Sequence, residues 1–245
     1  MKIKVITPLT SEAFEKETKE EVIKFASPGT EINTERIEYG PESIESAYDE
    51  ALCAPGAIRL AEKAQSEGYD GIFISCMGDP ALDAIREKVD IPVVGPARTA
   101  MLYAADLAHS FSVVTILENV IVLIEDLAKR LGLSEKMVSV RSVDIPVLEL
   151  TDKGGLIRSL VDESIIAIEK DKAHSIILGC TGMMGVADAL KDSLLQKGYN
   201  VPVLDPVPIA IRHLESLISL KLSQSKKTYM PVAAKERNIW KRLEK

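Results

Sequence analysis

The stretch Ser110-Phe111-Ser112-Val113-Val114-Thr115-Ile116-Leu117 lines up with Lys2-Ile3-Lys4-Val5-Ile6-Thr7-Pro8-Leu9 at the start of the chain. Each reads as an apolar strand running into a turn. Further along, Ile91-Pro92-Val93-Val94-Gly95-Pro96 matches Val201-Pro202-Val203-Leu204-Asp205-Pro206, and an apolar helical pattern follows each. The matches come in the same order and are displaced by 108 (110 − 2) and 110 (201 − 91) positions, so the chain reads as two similar halves. Between these landmarks short β-branched runs alternate with amphipathic stretches. The pattern predicts helices over 11–25, 44–67, 80–88, 99–107, 118–131, 156–170 and 185–197. Strands are expected near 3–6, 32–39, 71–75, 92–94, 111–115, 138–142, 175–178 and 201–204. Such βα alternation gives parallel sheets. The expected fold is α/β with two pseudo-symmetric lobes, each a parallel sheet flanked by helices, and an active site in the cleft between them. Residues 1–98 with about 207–245 are assigned to lobe 1 with its C-terminal helix and tail, and 99–206 to lobe 2. One continuous doubly wound sheet is the alternative.

The 245 residues are 46% hydrophobic and 27% charged, which excludes disorder and fibrous repeats. The longest uncharged run, Ala173 to Ala187, is 15 residues and contains three glycines and a histidine. A bilayer span needs about 18 apolar residues, so no membrane insertion is expected. Met1-Lys2-Ile3-Lys4-Val5-Ile6 leaves no room for a signal peptide, and a cytoplasmic location is expected. Net charge is −7, but residues 226–245 carry +5, leaving −12 on 1–225. An acidic body with 4% aromatic residues is a poor partner for nucleic acid.

Three cysteines are too few for a disulfide framework, so each is read as a thiol. Two of them recur in one pattern: Ile72-Phe73-Ile74-Ser75-Cys76-Met77-Gly78 and Ile176-Ile177-Leu178-Gly179-Cys180-Thr181-Gly182. Ligands of open parallel sheets sit beyond the carboxyl ends of strands, where both cysteines fall. Asp79-Pro80 reads as a helix start, with Asp79 as N-cap, which would put Cys76 before a helix N-terminus that favours a thiolate. Two thiols facing each other across a cleft suit racemisation next to a carbonyl, where one group removes a proton from one face and a second delivers one to the other. The backbone N–H groups of Met77, Gly78, Thr181 and Gly182 would stabilise the developing enolate charge. No cofactor or metal is implied, because His109, His174 and His213 have no partner at metal-ligand spacing. Cys53 has no repeat partner and is read as packing.

Gly40-Pro41-Glu42-Ser43-Ile44-Glu45-Ser46-Ala47-Tyr48-Asp49-Glu50-Ala51, Cys76-Met77-Gly78-Asp79-Pro80, Phe111-Ser112-Val113-Val114-Thr115 and Leu178-Gly179-Cys180-Thr181-Gly182-Met183 resemble the hydantoin racemase branch of the aspartate/glutamate racemase superfamily. The resemblance spans nearly the whole chain and implies cofactor-independent racemisation by Cys76 and Cys180, a small-molecule substrate such as a hydantoin or allantoin, and a homo-oligomer. Where the family usually has Asn-Pro-Asn-Thr, this chain has Thr7-Pro8-Leu9-Thr10, so hydroxyls of Thr7 and Thr10 would replace amides as substrate contacts. Arg98 stands near a position where the family commonly has an acidic residue; it reads either as a solvated helix residue or as an anion contact near the cleft. Three other readings stay open: an aspartate/glutamate-type racemase, a decarboxylase or cis/trans isomerase of the same superfamily, and a non-catalytic small-molecule binding protein.

Overall fold

The computed structural model describes residues 1–237; the end of the basic tail, 238–245, lies outside the described residues. Strands and helices alternate in the order β1 (Lys2–Thr7), α1 (Glu15–Phe25), β2 (Glu31–Arg36), α2 (Ala47–Ser66), β3 (Gly71–Ile74), α3 (Leu82–Lys88), β4 (Val93–Val94) and α4 (Pro96–Leu107). The second half repeats it with β5 (Phe111–Thr115), α5 (Ile121–Arg130), β6 (Met137–Ser142), α6 (Lys153–Glu169), β7 (Ile176–Leu178), α7 (Ala187–Gln196), β8 (Val203–Leu204) and α8 (Pro206–Ser219). The strands form two separate parallel sheets with the same order, β2-β1-β3-β4 and β6-β5-β7-β8. A single continuous sheet is thereby excluded.

The middle strands read as unbroken apolar runs because helices cover both of their faces. Ile3, Val5 and Ile6 of β1, Ile72 to Ile74 of β3, and Val113 and Val114 of β5 are fully buried. Register pairs Val5 with Phe73 in the first sheet and Val113 with Ile177 in the second. The helices that follow the edge strands β4 and β8 change sides. Ala97, Met101 and Ala104 of α4 pack with Phe111, Val113 and Ile177 of the second sheet. In return, Val207, Ala210, Ile211 and Leu214 of α8 pack with Ile3, Val5 and Phe73 of the first.

Several helix starts differ from the periodicity. Residues 11–14 are not helical, and α1 begins only at Glu15, so Phe14 is free to pack into the second lobe's core. Residues 80 and 81 precede α3, which begins at Leu82 after two residues with positive φ, Asp79 at 48° and Ala81 at 56°. Helix α2 begins at Ala47 because Ser46 caps it, its hydroxyl accepting from Asp49 N at 3.2 Å.

Candidate active site

Strands β3 and β7 hold equivalent places in their sheets, and both release the chain into a tight turn that carries a cysteine. After β3, Ser75 N still donates to Ile6 O at 2.9 Å, and then Asp79 N donates to Cys76 O at 3.0 Å. After β7, Gly179 N donates to Val114 O at 2.7 Å, and Met183 N donates to Cys180 O at 3.1 Å. Within each turn the glycine two residues on points its N–H at the sulfur. Gly182 N lies 3.3 Å from Cys180 Sγ, and Gly78 N–H plays the same part for Cys76. Glycine is also required at 179, where a Cβ would stand 2.6 Å from Thr115 Cα and 2.7 Å from Val114 O.

Both cysteines line one chamber between the lobes, and neither is fully buried. The chamber encloses about 60 Å³ by the measure in which one water needs about 10–15 Å³, which is space for about five waters or one small ring. Its wall is mainly apolar: Leu9, Phe14, Ile44, Ile116, Val120 and Val147 face inward. Polar groups are few. The Thr7 hydroxyl lines the chamber, is 5% exposed as a residue, and has no hydrogen-bond partner among the described residues. The N–H groups of Met77 and Thr181 likewise make no bond to protein among the described residues. The Thr181 hydroxyl donates to Ser75 O at 3.3 Å, tying the two cysteine turns together.

Burial sets the proton affinity of the two thiols. It pushes Cys180 up to about 11 and Cys76 well above the ordinary thiol value, while the glycine N–H groups pull the other way. The expected helix-dipole stabilisation of a Cys76 thiolate is absent, because α3 starts six residues later at Leu82. Asp79 is not the cap of that helix either. Its buried carboxylate crosses to α4, accepting from Ala97 N at 3.0 Å and Arg98 N at 2.8 Å. Gly95, the N-cap residue of α4, leaves the room, since a Cβ there would run into the Asp79 carboxylate. The second lobe solves the same problem in place: Asp205 caps α8 itself, accepting from Val207 N at 3.1 Å.

The model of the family described as Asp/Glu/Hydantoin racemase matches residues 3–214. A hydantoin racemase of Pseudomonas sp. (strain NS671) is 39% identical over 238 residues, covering 96% of this chain and 94% of its own. Among solved structures, an allantoin racemase from Klebsiella pneumoniae superposes with a TM-score of 0.90 at 34% identity, over 99% of this chain and 98% of that one. The allantoin racemase AllR from Pseudomonas fluorescens follows with a TM-score of 0.89 at 33% identity, over 97% and 99%.

The chain belongs to the Asp/Glu/hydantoin racemase family.

Of the residues singled out in the racemase sequence, the chamber gathers Cys76, Cys180, Thr7, Met77, Gly78, Thr181 and Gly182. Thr10 is not in its lining: its hydroxyl and its N–H both reach Pro41 O, at 3.2 and 2.9 Å, so it closes a loop. Arg98 is elsewhere too. Its guanidinium donates to Tyr229 O–H at 3.0 Å and pairs with Asp83 at 3.5 Å, which makes it neither a cleft anion contact nor a solvated helix residue. It anchors the C-terminal segment, in which Gln224 Nε2 also donates to Val89 O and Ile91 O at 2.8 and 2.9 Å. Cys53 is buried, and its thiol donates to Glu50 O at 3.2 Å. Among the described residues no group of three His, Cys, Asp or Glu side chains is placed to hold a metal.

Two carboxylates of the racemase chamber escaped the sequence reading. Glu45 and Glu50 both line it. Their segment was quoted only as a family resemblance, and no periodicity says that the start of α2 abuts the Cys76 turn.

Proposed function

We propose that this racemase inverts the stereocentre of a small neutral ring, a 5-substituted hydantoin or related ureide, with Cys76 and Cys180 as paired acid and base. The observation that carries the reading is the two thiols at equivalent points of the repeated lobes, lining a single chamber. In the thiolate form, one sulfur takes the hydrogen from the carbon beside the carbonyl. The electron pair moves onto the carbonyl oxygen, where the unengaged N–H groups of Met77 and Thr181 supply hydrogen bonds. The other sulfur, still a thiol, delivers its proton to the opposite face as the enolate collapses, and the two sulfurs have exchanged roles. No step asks for a cofactor.

Charge and shape support a neutral substrate with an apolar substituent. Among the described residues no Lys, Arg or His lines the chamber, so an aspartate or glutamate carboxylate would find no cation there, and the wall of Leu9, Phe14, Ile44, Ile116, Val120 and Val147 suits a hydrocarbon side chain. The unpartnered Thr7 hydroxyl fits a ring carbonyl or N–H. The names of the relatives, hydantoin and allantoin racemases, point the same way.

The proposal extends to the organisation of the chain. One lobe takes residues 1–98 with about 207–245, of which 238–245 lie outside the described residues, and the other takes 99–206; the return of α8 to the first sheet and the packing of α4 on the second support this division. A homo-oligomer in the cytoplasm completes the reading. Among the described residues no helix is long and apolar enough to cross a membrane.

Deuterium exchange followed by NMR, with 5-benzylhydantoin, 5-isobutylhydantoin, allantoin, aspartate and glutamate as substrates, tests this. Exchange at C5 with loss of optical rotation is expected for the hydantoins. Exchange confined to the amino acids overturns the substrate reading, and exchange of none of them leaves the binding-protein reading in possession.

A further inference from the structure

Besides the thiols, the ionisable side chains that line the chamber are Glu45 and Glu50. They are not equivalent. Glu45 is engaged, since its Oε1 accepts from Val147 N at 2.8 Å and its backbone carbonyl accepts from Asn119 Nδ2 at 2.7 Å, so it ties the first lobe to the second. The carboxyl of Glu50 has no hydrogen bond and no ion pair within 4.0 Å among the described residues.

The position of Glu50 is fixed by the local fold. It lies in the first turn of α2, whose start is set by the Ser46 cap. Its carboxyl oxygen fills the space that a Cβ at Gly78 would occupy, and the Gly78 N–H holds the Cys76 sulfur. Glu50, Gly78 and Leu123 also form the partition between the chamber and an open outer groove lined by Asp126, Lys129 and Arg130. Arg130 approaches Glu50 from α5 on the groove side, and Asp79 from the turn after Cys76; Lys129 is already paired with Asp126 at 3.0 Å. Burial raises the Glu50 carboxyl to about 7, Arg130 working against the rise and Asp79 adding to it. A partly buried carboxyl with no donor carries an unrelieved desolvation cost, and a ligand that brings an N–H removes it.

We infer that Glu50 is a specificity-determining residue: its carboxylate accepts a hydrogen bond from the ring N–H adjacent to the carbon that Cys76 works on. This rests on the hydantoin reading above. In a hydantoin the group is N1–H, which flanks the stereocentre, whereas N3–H lies between the two carbonyls. Selection for a free N1–H also explains how a chamber without cations can still orient a polar ring.

The test measures racemisation of 5-benzylhydantoin and of its N1-methyl and N3-methyl derivatives by the parent protein, Glu50→Ala and Glu50→Gln. For the parent protein, N1-methylation should lower kcat/KM by about tenfold or more, the range of a hydrogen bond to a charged group. Glu50→Ala should lower kcat/KM for the unmethylated ring by a similar factor, mostly through KM, and should become nearly indifferent to the N1-methyl group. N3-methylation should affect all three proteins alike. Glu50→Gln, which keeps the side-chain volume and serves if the alanine variant does not fold, should show several-fold weaker discrimination against N1-methylation than the parent. Undiminished discrimination in both variants overturns the assignment of Glu50 while leaving the racemase reading intact. A parent protein inactive on every hydantoin overturns both.

Discussion

Asp79→Asn isolates one buried titration and gives it a sign. The Asp79 carboxyl is 7% exposed and spans from the Cys76 turn to the first N–H groups of α4. Burial raises it from 3.8 to about 6, against the pull of those two N–H groups and of Arg98 and Arg86. The folded chain therefore holds this proton more tightly than the unfolded chain. The resulting contribution to stability is fully present below about pH 3.8 and is lost as pH rises through about 6. At 1.36 kcal/mol per tenfold change in proton affinity, the rise corresponds to about 3 kcal/mol. An asparagine cannot ionise, but it offers one acceptor oxygen where Ala97 N and Arg98 N each use a different carboxylate oxygen, so one of the two N–H groups loses its partner at every pH. Urea denaturation followed by circular dichroism between pH 4.5 and 7.5, at fixed ionic strength, should find the asparagine variant no more stable than the parent at the acid end, where the orphaned N–H costs it about 1–3 kcal/mol. Between there and pH 7.5 the asparagine variant should gain steadily on the parent, by about 2 kcal/mol in all, the rest of the effect lying below pH 4.5. Glu21 and Asp205 titrate in both proteins and cancel in the difference, while Glu50, whose rise the Asp79 charge adds to, contributes a smaller gain of the same sign. Parallel stability profiles, or a difference that moves in the parent's favour as pH rises, would refute the reasoning.

Cys76→Ala and Cys180→Ala should each reduce racemisation at least about a hundredfold, the low end of what a positioned acid or base contributes. Each should still exchange the C5 hydrogen of one enantiomer in deuterium oxide, and opposite enantiomers for the two variants; a shared preference rules out opposed bases. Because burial lifts both thiols and one must ionise, kcat/KM should climb about tenfold per pH unit from 7 to 9, and a plateau below pH 7 would contradict the raised thiols. Gly179→Ala forces a methyl group against Thr115 Cα and Val114 O, so it should cost about 1–3 kcal/mol in urea melts and lower kcat by displacing Cys180. A variant with parent stability and rate would mean that the β7 turn has slack that this geometry denies.

The repeat, the parallel α/β class, the equivalent strand-end positions of Cys76 and Cys180, and the glycines of both turns are legible in the sequence alone. These are local or periodic signals. Apolar runs mark the middle strands because both of their faces are covered, and a cysteine two residues past such a strand is at its carboxyl end whatever the rest of the chain does. Which polar groups meet across elements is settled by the packing. Asp79 reads in sequence as the cap of the helix that follows it, yet it caps α4, because its positive φ turns the chain and the absent side chain of Gly95 admits the carboxylate. Arg98 reads as a solvated helix residue or as a cleft anion contact, and is drawn instead to Tyr229, 131 positions away. Thr10 shares a motif with Thr7, but a single loop bond to Pro41 O takes its hydroxyl out of the chamber, while that of Thr7 stays inside. Glu50 joins the site through the packing of α2 on the Cys76 turn. Hydrogen bonds and burial act over a few ångströms in space, and the spacing of residues along the chain does not encode which distant side chains will be brought within that reach.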